Sequence, residues 1–452
     1  MKILRWVLVI LLLAAVTFQA VFRKQLEKGR DNEITLFRFF GGCSDEYGST
    51  LELPPAASEC AVIQVLTNRF NAENRLGIRV VTQTAEWSGY YDRLSAAFAA
   101  HRPPEIAVMH RSVFADFSRR GLLESLSHDL SLHGVEWSDF EESAVQGLGE
   151  DHELYAMPYD FHGLLWHINL DLLTRAGLVT ENGEPVLPQT PDELMTQARQ
   201  VKDKTGKHYF AIPSQTDPMP TWTWESWVWQ QGSDLISSDL RHSSVATPAA
   251  QKALKFLSSL YEQGAANPSQ DYAAAEQAFL DGKAAVLMNG TWVVDAYFKK
   301  SRKSESELKR YRAFTPPSLF RRGASEAAWT DSHVWVLPRG SAIADNPKKR
   351  EAALEFLAFL YKNNLEWART GHLPVRKSVL QGSAFLSLPE RSHYASLAKI
   401  ARRLPPAPNQ RALQDELVQQ VNSTWLSGQT PQDALARAQK RTQEILDRAV
   451  GH

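Results

Sequence analysis

Strand and helix patterns alternate along the first part of the chain. The segment Glu33–Phe40 is rich in β-branched and aromatic residues and is broken by Gly41 and Gly42, which predicts a strand that ends in a loop. Apolar residues recur with helical spacing over Glu59–Glu73, and the short apolar run Ile78–Val81 follows. This order predicts a strand–helix–strand unit.

The same pattern then repeats. A helix over about Tyr90–Ala100 is stopped by Pro103 and Pro104, the strand Glu105–Met109 follows, and another helix ends at Gly121. Such alternation predicts an α/β lobe with a largely parallel sheet. Ligand-binding groups in such lobes lie in the loops at the carboxyl ends of the strands.

A second lobe is predicted from the apolar, extended segment Tyr155–Asn169 onwards. Later strands are predicted at Ala284–Met288 and His333–Leu337. Thr190 and Thr247 have the residue type and position of helix N-caps. The helices predicted after the extended segment cover residues 170–176, 191–205, 248–263, 348–363 and most of 411–449.

The N-terminus has the pattern of an export signal. Lys2 and Arg5 precede the apolar run Trp6–Phe22, and 17 residues separate Arg5 from Arg23. This run is longer than a usual signal-peptide core and at the lower limit of a membrane span. Residues 1–32 are therefore predicted to be a signal peptide or an N-terminal membrane anchor of a periplasmic or otherwise extracytoplasmic protein, with residues 6–22 as its inner-membrane segment.

Charge and cysteine content narrow the function classes. The 452 residues include 50 Lys and Arg against 51 Asp and Glu, so there is no basic excess that would favour nucleic acid. Cys43 and Cys60 both follow the export segment, where thiols tend to be oxidised. A disulfide and two unconnected side chains remain equally open, because the sequence does not fix the distance between them.

No motif supports catalysis. The chain lacks a P-loop, an H-E-x-x-H helix, a G-x-S-x-G elbow and a C-x-x-C pair, so no catalytic residue, metal site or cofactor is predicted and the protein is not expected to be an enzyme. Asp160 and Glu225 are a nominal carboxylate pair for glycoside hydrolysis, which only the folded structure can test.

Several segments, in order, resemble the bacterial extracellular solute-binding proteins of family 1, the maltose-binding-like receptors of sugar ABC transporters. Each segment is a weak match alone, and their shared order from about Glu33 to Leu446 carries the resemblance. Ile168 and Pro191 stand where the family usually has Tyr and Trp. The matching segments are Tyr91–Leu94, Pro104–Val108, Arg120–Leu123, Leu154–Pro158, Ile168–Leu172, Ala176–Leu178, Pro188–Leu194, Phe279–Ala285, Asn289–Trp292 and Gly428–Leu435.

The resemblance implies an α/β, two-lobe periplasmic binding protein fold with crossover hinge segments and a ligand cleft between the lobes. We expect residues 33–160 with 336–385 to form the first lobe and residues 161–335 with 386–452 the second. The implied function is capture of a sugar by lobe closure and delivery to ABC transporter permease subunits. We expect a monomer without a cofactor that meets the membrane only through its N-terminal segment.

A sugar site needs flat aromatic surfaces for ring C–H groups and polar side chains for hydroxyls. Trp292 occupies a position where the resembling proteins place a stacking aromatic, and His110 and Arg111 follow a predicted strand. For most of these residues, core packing or an ordinary surface role is the alternative. The candidate ligand-binding residues are Trp87, Tyr90, His110, Arg111, Asp160, His162, Trp222, Trp224, Asn289, Trp292, Trp329, His333, His372 and Arg376.

Two other functions remain open at this point. One is a membrane-anchored enzyme that acts on polysaccharide, in which Asp160 would take part in turnover. The other is a tethered sensory or scaffold domain with the same fold, held by Trp6–Phe22, that never delivers its ligand.

Overall fold

The computed structural model describes residues 32–54, 57–150, 153–321, 326–407 and 409–450. The predicted export segment lies outside these ranges. Within them, no helix combines the length and the apolar character that a bilayer crossing requires.

Two large sheets organise the chain. In chain order the strands are β1 (Glu33–Arg38), β2 (Arg79–Thr84), β3 (Ile106–His110), β4 (Gly149–Glu150), β5 (Glu153–Leu154), β6 (Met157–Pro158), β7 (Asp160–Asn169), β8 (His208–Ala211), β9 (Ala284–Gly290), β10 (Tyr311–Phe314), β11 (Ala328–Asp331), β12 (His333–Val336), β13 (Leu373–Pro374) and β14 (Ala401–Arg402).

The first sheet has the order β2-β1-β3-β12-β6. Strands β2, β1 and β3 are parallel, as the alternating pattern predicts, whereas β12 runs antiparallel to both β3 and β6. The second sheet has the order β14-β11-β7-β9-β8, and β10 and β13 also pair with β7. Every residue of β7 is buried, so this strand is the centre of the second lobe.

Helices cover both sheets. They lie at Ser44–Tyr47, Glu59–Glu73, Trp87–Ala99, Arg111–Ser118, Ser127–Leu132, Glu142–Val145, Leu170–Ala176, Pro191–Thr205, Met219–Trp229, Pro248–Glu262, Tyr272–Leu280, Val294–Ser301, Pro347–Lys362, Asn364–Trp367, Lys377–Leu380, Ser383–Leu386, Arg391–Tyr394, Gln410–Leu426 and Pro431–Val450, with 3₁₀ turns at Trp137–Asp139, Thr291–Val293, Ala368–Thr370 and Ala395–Lys399.

The predicted N-caps are present. The Thr190 hydroxyl accepts a hydrogen bond from the Glu193 N–H at 3.1 Å, and Thr247 accepts one from Ala250 at 3.3 Å. The C-terminal helical region is two helices rather than one stretch, because the chain turns at Gly428, whose φ is +68°.

The chain passes between the lobes at two short crossovers, and it enters the second lobe again between helix Pro347–Lys362 and β14. Only Tyr159 separates β6 from β7, and only Ser332 separates β11 from β12. The return to the first sheet therefore comes three residues earlier than the predicted boundary at 335/336. In addition, β13 lies inside the predicted first-lobe segment 336–385 but pairs with β7 of the second sheet.

A disulfide joins Cys43 to Cys60. It closes the loop between β1 and helix Glu59–Glu73, which packs on the first sheet. The covalent bond confirms one of the two alternatives that the sequence left open.

A buried carboxyl group lies in the core of the second lobe. Glu225, on helix Met219–Trp229, is fully buried, and its Oε1 accepts a hydrogen bond of 2.9 Å from the Gln414 amide. Its Oε2 has no hydrogen-bond partner among the described residues. Burial, only partly offset by the Gln414 hydrogen bond, raises the pKa of Glu225 to about 8.

Glu225→Gln is expected to flatten the pH dependence of stability in this lobe. The folded pKa of about 8 exceeds the ordinary value of 4.5, so the native state holds a proton that the unfolded chain releases. This stabilisation is complete below the unfolded pKa and is lost as the pH rises through the folded pKa, by at most about 1.4 kcal/mol per pH unit. Urea unfolding between pH 5 and pH 8 measures the slope. The control is Glu262→Gln, at an exposed position, and equal slopes for Glu225→Gln and the unmodified chain would contradict the assignment.

Candidate functional site

The two crossovers lie side by side and bring polar residues together between the lobes. Asp160 is the first residue of β7, where it pairs with Pro374 of β13. His162 is opposite Asp331, the last residue of β11. The next strand of the first sheet begins with His333. Side chains from three distant parts of the chain therefore converge at the hinge.

The Asp160 carboxylate is the centre of this region. It is fully buried and accepts hydrogen bonds from His333 Nδ1 at 2.7 Å, the His333 backbone N–H at 3.0 Å, His162 Nδ1 at 3.1 Å and Trp367 Nε1 at 2.6 Å. A buried carboxylate with four donors is fully satisfied, so it stabilises the geometry that provides them.

His372 reaches the same place from the turn before β13. Gly371, with φ of +105°, makes this turn possible, since a Cβ there would lie 1.9 Å from the carbonyl oxygen of Thr291. His372 is fully buried and its Nδ1 lies 2.7 Å from the Thr370 hydroxyl. Its Nε2 lies 3.3 Å from Glu59 Oε1 and 4.0 Å from Asp160 Oδ2.

The charges of this cluster depend on one another. Burial alone would raise the pKa of Asp160, but His333, His372 and the hydrogen bonds hold it well below its ordinary value. Burial opposes protonation of His162, yet the hydrogen bond to Asp160 raises its pKa. Burial lowers the pKa values of His333 and His372, and burial raises that of Glu59 to about 7. The hydrogen bonds from His333 and His162 therefore favour the charged, carboxylate form of Asp160.

These residues include a possible metal-ligand set. One ligand atom from each of Asp160, His162, His333 and His372 lies within 4.8 Å of the other three. No metal site was predicted from the sequence, because the four residues lie in three separate segments without a recognisable ligand spacing.

Aromatic rings extend from this cluster into both lobes. His110 stacks on Phe39 with ring centroids 4.6 Å apart, and the ring centroids of Trp87 and His110 are 6.4 Å apart with perpendicular planes. His162 contacts His110 at 5.7 Å in the first lobe, and it contacts Trp292 at 6.1 Å in the second.

The aromatic contacts continue in the second lobe. Trp329 lies 6.2 Å from His162, and Trp222 stacks on Trp329 at 3.7 Å with nearly parallel planes. Trp87 is 57% exposed, and Trp222 is half-buried. We call the set Trp87, His110, His162, Trp292, Trp329 and Trp222 the aromatic surface.

Local structure fixes the Trp292 indole. A Cβ at Gly290 would lie 2.1 Å from the ring atoms of Trp292, so only glycine permits this close packing. Trp292 Nε1 donates a hydrogen bond of 3.2 Å to the Tyr272 hydroxyl, which is also 3.1 Å from Asn289 Nδ2. Asn289 therefore positions Tyr272 and, through it, the Trp292 ring.

The structure brings most of the predicted site residues together. Around the Asp160 cluster and the aromatic surface lie Trp87, His110, Asp160, His162, Trp222, Trp292, Trp329, His333 and His372. A ligand-binding role for these residues remains a prediction. The remaining candidates have other partners.

Tyr90 and Trp224 are core residues, contrary to the prediction. The Tyr90 hydroxyl lies 2.8 Å from the Val108 carbonyl and 3.0 Å from that of Phe37, so the fully buried ring ties β1 to β3. Trp224 is also fully buried and donates a hydrogen bond of 3.0 Å to the Ala250 carbonyl. In each case, burying the large apolar area of the ring stabilises the fold, which favours a position in the core.

The polar groups of Arg111, Arg376 and Asn289 are bonded to other residues of the protein. Arg111 donates to the Ser143 carbonyl. Arg376 binds Asp139 at 2.7 Å and covers the ring of Tyr361 at 4.0 Å. Glu225, the nominal partner of Asp160, pairs with Gln414 in the second lobe.

Sequence reasoning missed Phe39, Glu59, Trp367 and Thr370 as members of this region. Phe39 follows β1, a carboxyl end where ligand groups are expected, so its position was a usable signal. Trp367 and Thr370 follow an ordinary amphipathic helix, and nothing in the local sequence connects them to Asp160.

Comparison with known proteins identifies the family. The family model of the bacterial extracellular solute-binding proteins matches residues 66–392. The chain belongs to this family. This solute-binding protein is therefore extracytoplasmic, as the sequence predicts, and proteins of its family work with ABC transporters.

Individual relatives are distant in sequence. The diacetylchitobiose-binding protein DasA of Streptomyces coelicolor is 22% identical over 345 residues, which cover 72% of this chain and 75% of DasA. The GacH receptor of Streptomyces glaucescens, solved without ligand and with acarbose, has a TM-score of 0.74 at 20% identity and covers 92% of this chain and 98% of its own. Maltose-bound MalE3 of T. maritima also has a TM-score of 0.74 at 20% identity, covering 91% and 99%. The two-lobe fold is confirmed, and these relatives are binding proteins.

Asp160→Asn is expected to destabilise the solute-binding protein by about 2–5 kcal/mol, because an amide NH₂ would then face N–H donors that need an acceptor. Urea unfolding at pH 7 in the presence of a chelator measures this loss. Asp281→Asn is the control, since Asp281 bonds only at the exposed surface. A loss for Asp160→Asn as small as that of the control would show that the carboxylate does not hold the hinge together.

Proposed function

We propose that this protein captures a sugar or oligosaccharide between its lobes and delivers it to the permease of an ABC transporter. The observation that carries the proposal is the aromatic surface, which has members on both lobes. Trp87 and His110 belong to the first lobe, whereas Trp292, Trp329 and Trp222 belong to the second.

The surface has the chemistry that carbohydrates require. Indole faces pack against the C–H patches of pyranose rings, and half-buried or exposed indoles such as Trp87, Trp222 and Trp292 are available for this contact. The half-buried imidazole of His110 lies beside Trp87 and offers a donor or acceptor to hydroxyl groups. A site of flat apolar faces with few polar groups favours a neutral, polyhydroxylated solute over a strongly charged one.

The crossovers favour capture by closure. Two of the crossovers are single residues, so small backbone rotations at Tyr159 and Ser332 would help to change the angle between the lobes. A solute that contacts Trp87 and Trp292 at once has more contacts in the closed state than in the open one. That difference in affinity shifts the equilibrium towards closure.

The relatives suggest the size of the solute. DasA is a diacetylchitobiose-binding protein, GacH was solved with acarbose, and MalE3 was solved with maltose bound. An oligosaccharide of two or more rings would also use the several indoles of the aromatic surface better than a monosaccharide.

The export segment supports the location of this activity. Trp6–Phe22 with Lys2 and Arg5 in front is proposed to anchor a monomeric receptor in the inner membrane or to be cleaved after export. Either outcome leaves the two lobes on the extracytoplasmic side, where solute is available.

Isothermal titration against malto-, chito- and xylo-oligosaccharides tests the proposal. At least one series is expected to bind, and Trp222→Ala and Trp292→Ala are each expected to weaken that binding by about tenfold or more, because each removes a stacking face. The matched control is Trp137→Ala, a half-buried indole of the first lobe that packs on Phe140. No binding of any series, release of products from a glycan, or equal losses in all three variants would contradict the proposed function.

A further inference from the structure

We propose that Asp160, His162, His333 and His372 bind one divalent transition-metal ion, Zn²⁺ before others, at the hinge between the lobes. Three imidazole nitrogens and one carboxylate oxygen form a donor set that Zn²⁺ accepts readily. This site does not depend on sugar capture and would stand if the proposed function failed.

The spacing of the donors fits a tetrahedral ion. With metal–ligand bonds of 2.0–2.1 Å, the edges of a tetrahedron are about 3.3 Å long. Distances from the Asp160 oxygens are 2.7 Å to His333 Nδ1, 3.1 Å to His162 Nδ1 and 4.0 Å to His372 Nε2. Metal binding would replace the His333 and His162 hydrogen bonds to Asp160 with bonds to the ion and release the two Nδ1 protons, and side-chain shifts would bring the distances to the required value.

His372 is oriented as a metal ligand. Its Nε2 is fully buried, points into the cluster and has no hydrogen-bond partner among the described residues. The Thr370 hydroxyl donates to the Trp367 carbonyl at 2.7 Å, so it accepts from His372 Nδ1. That tautomer leaves a lone pair on Nε2. A histidine with Nδ1–H bound to an oxygen and a free Nε2 has the outer-shell arrangement typical of metal sites.

The surrounding charge favours a divalent cation. Asp160 provides one carboxylate inside the donor set, and Glu59 places a second one 3.3 Å from His372 Nε2. Trp367 Nε1 holds the Asp160 carboxylate from outside the set at 2.6 Å. Two carboxylates would balance the charge of the bound ion.

The site is closed, which indicates a structural role. All four residues are buried and supply four protein donors, so a tetrahedral ion would have no open position for a solute. The ligands come from β7, β12 and the turn before β13. The ion would therefore connect both crossovers and fix the position around which the lobes move.

The binding experiment uses the full chain, without a polyhistidine tag and purified in detergent so that the N-terminal segment is retained. The protein is stripped with a chelator and dialysed, and Zn²⁺ is titrated in competition with a chromophoric chelator. We expect one Zn²⁺ per chain, a higher Tm with Zn²⁺ than without it, and a zinc X-ray absorption spectrum with three imidazoles in a four-coordinate shell. Weaker than stoichiometric uptake, or a shell without three imidazoles, would overturn the site.

Variants assign the ion to these residues. His162→Gln and His372→Gln should each weaken Zn²⁺ binding more than 100-fold, whereas Thr370→Val, which removes only the partner of His372 Nδ1, should weaken it by about 10–100-fold. His133→Gln is the matched control, since His133 bonds Glu351 at 3.0 Å outside the cluster. If His162→Gln and His372→Gln both bind Zn²⁺ as tightly as the unmodified chain, the ion lies elsewhere, the cluster is a hydrogen-bonded network, and the proposal is wrong. Circular dichroism checks the fold of each variant, and the absorption spectrum of the unmodified protein decides the matter if a histidine variant fails to fold.

Discussion

The position of the two lobes depends on one buried carboxylate. Asp160 lies at the first residue of the strand that leaves one sheet for the other, and four N–H groups from three segments converge on it. Burying an unpaired carboxylate here would destabilise the fold by more than one hydrogen bond could offset. Without a bound ion, all four donors are therefore obligatory, and the hydrogen bonds fix the start of β7, the start of β12 and the helix end at Trp367 relative to one another.

This arrangement reconciles rigidity with movement. The crossovers are one residue long, so they can turn, but their ends are held by hydrogen bonds to the same carboxylate. The angle between the lobes can therefore change while the hydrogen bonds to Asp160, which form the pivot, stay in place. His162 links this pivot to the aromatic surface, because its ring bonds Asp160 through Nδ1 and contacts Trp292 and Trp329. A solute that touches these indoles lies directly beside the pivot.

Local features of the fold could be predicted from the sequence, whereas long-range ones could not. Hydrophobic periodicity and capping residues located helix Pro191–Thr205 and strand β3, since both patterns are read within a few turns. The collinear motifs indicated the two-lobe fold. Strand β12 joins the first sheet by pairing with β3, which lies more than 200 residues earlier in the chain. No local pattern records such a pairing, so the second boundary was placed three residues late.

The same distinction explains the site residues. Trp292, before which a glycine permits close packing, could be found because its motif is local. Tyr90 and Trp224 were predicted as ligand contacts because an aromatic residue near a loop has the same sequence signature whether it faces a cleft or a core. Tyr90 and Trp224 differ from cleft-facing aromatics in that their polar atoms donate hydrogen bonds to backbone carbonyls of the core, at Val108 and Ala250. Conversely, His162, His333 and His372 surround Asp160 only because the fold brings two crossovers and a glycine turn together. Their grouping therefore depends on the topology of the chain and could not be predicted from the local sequence.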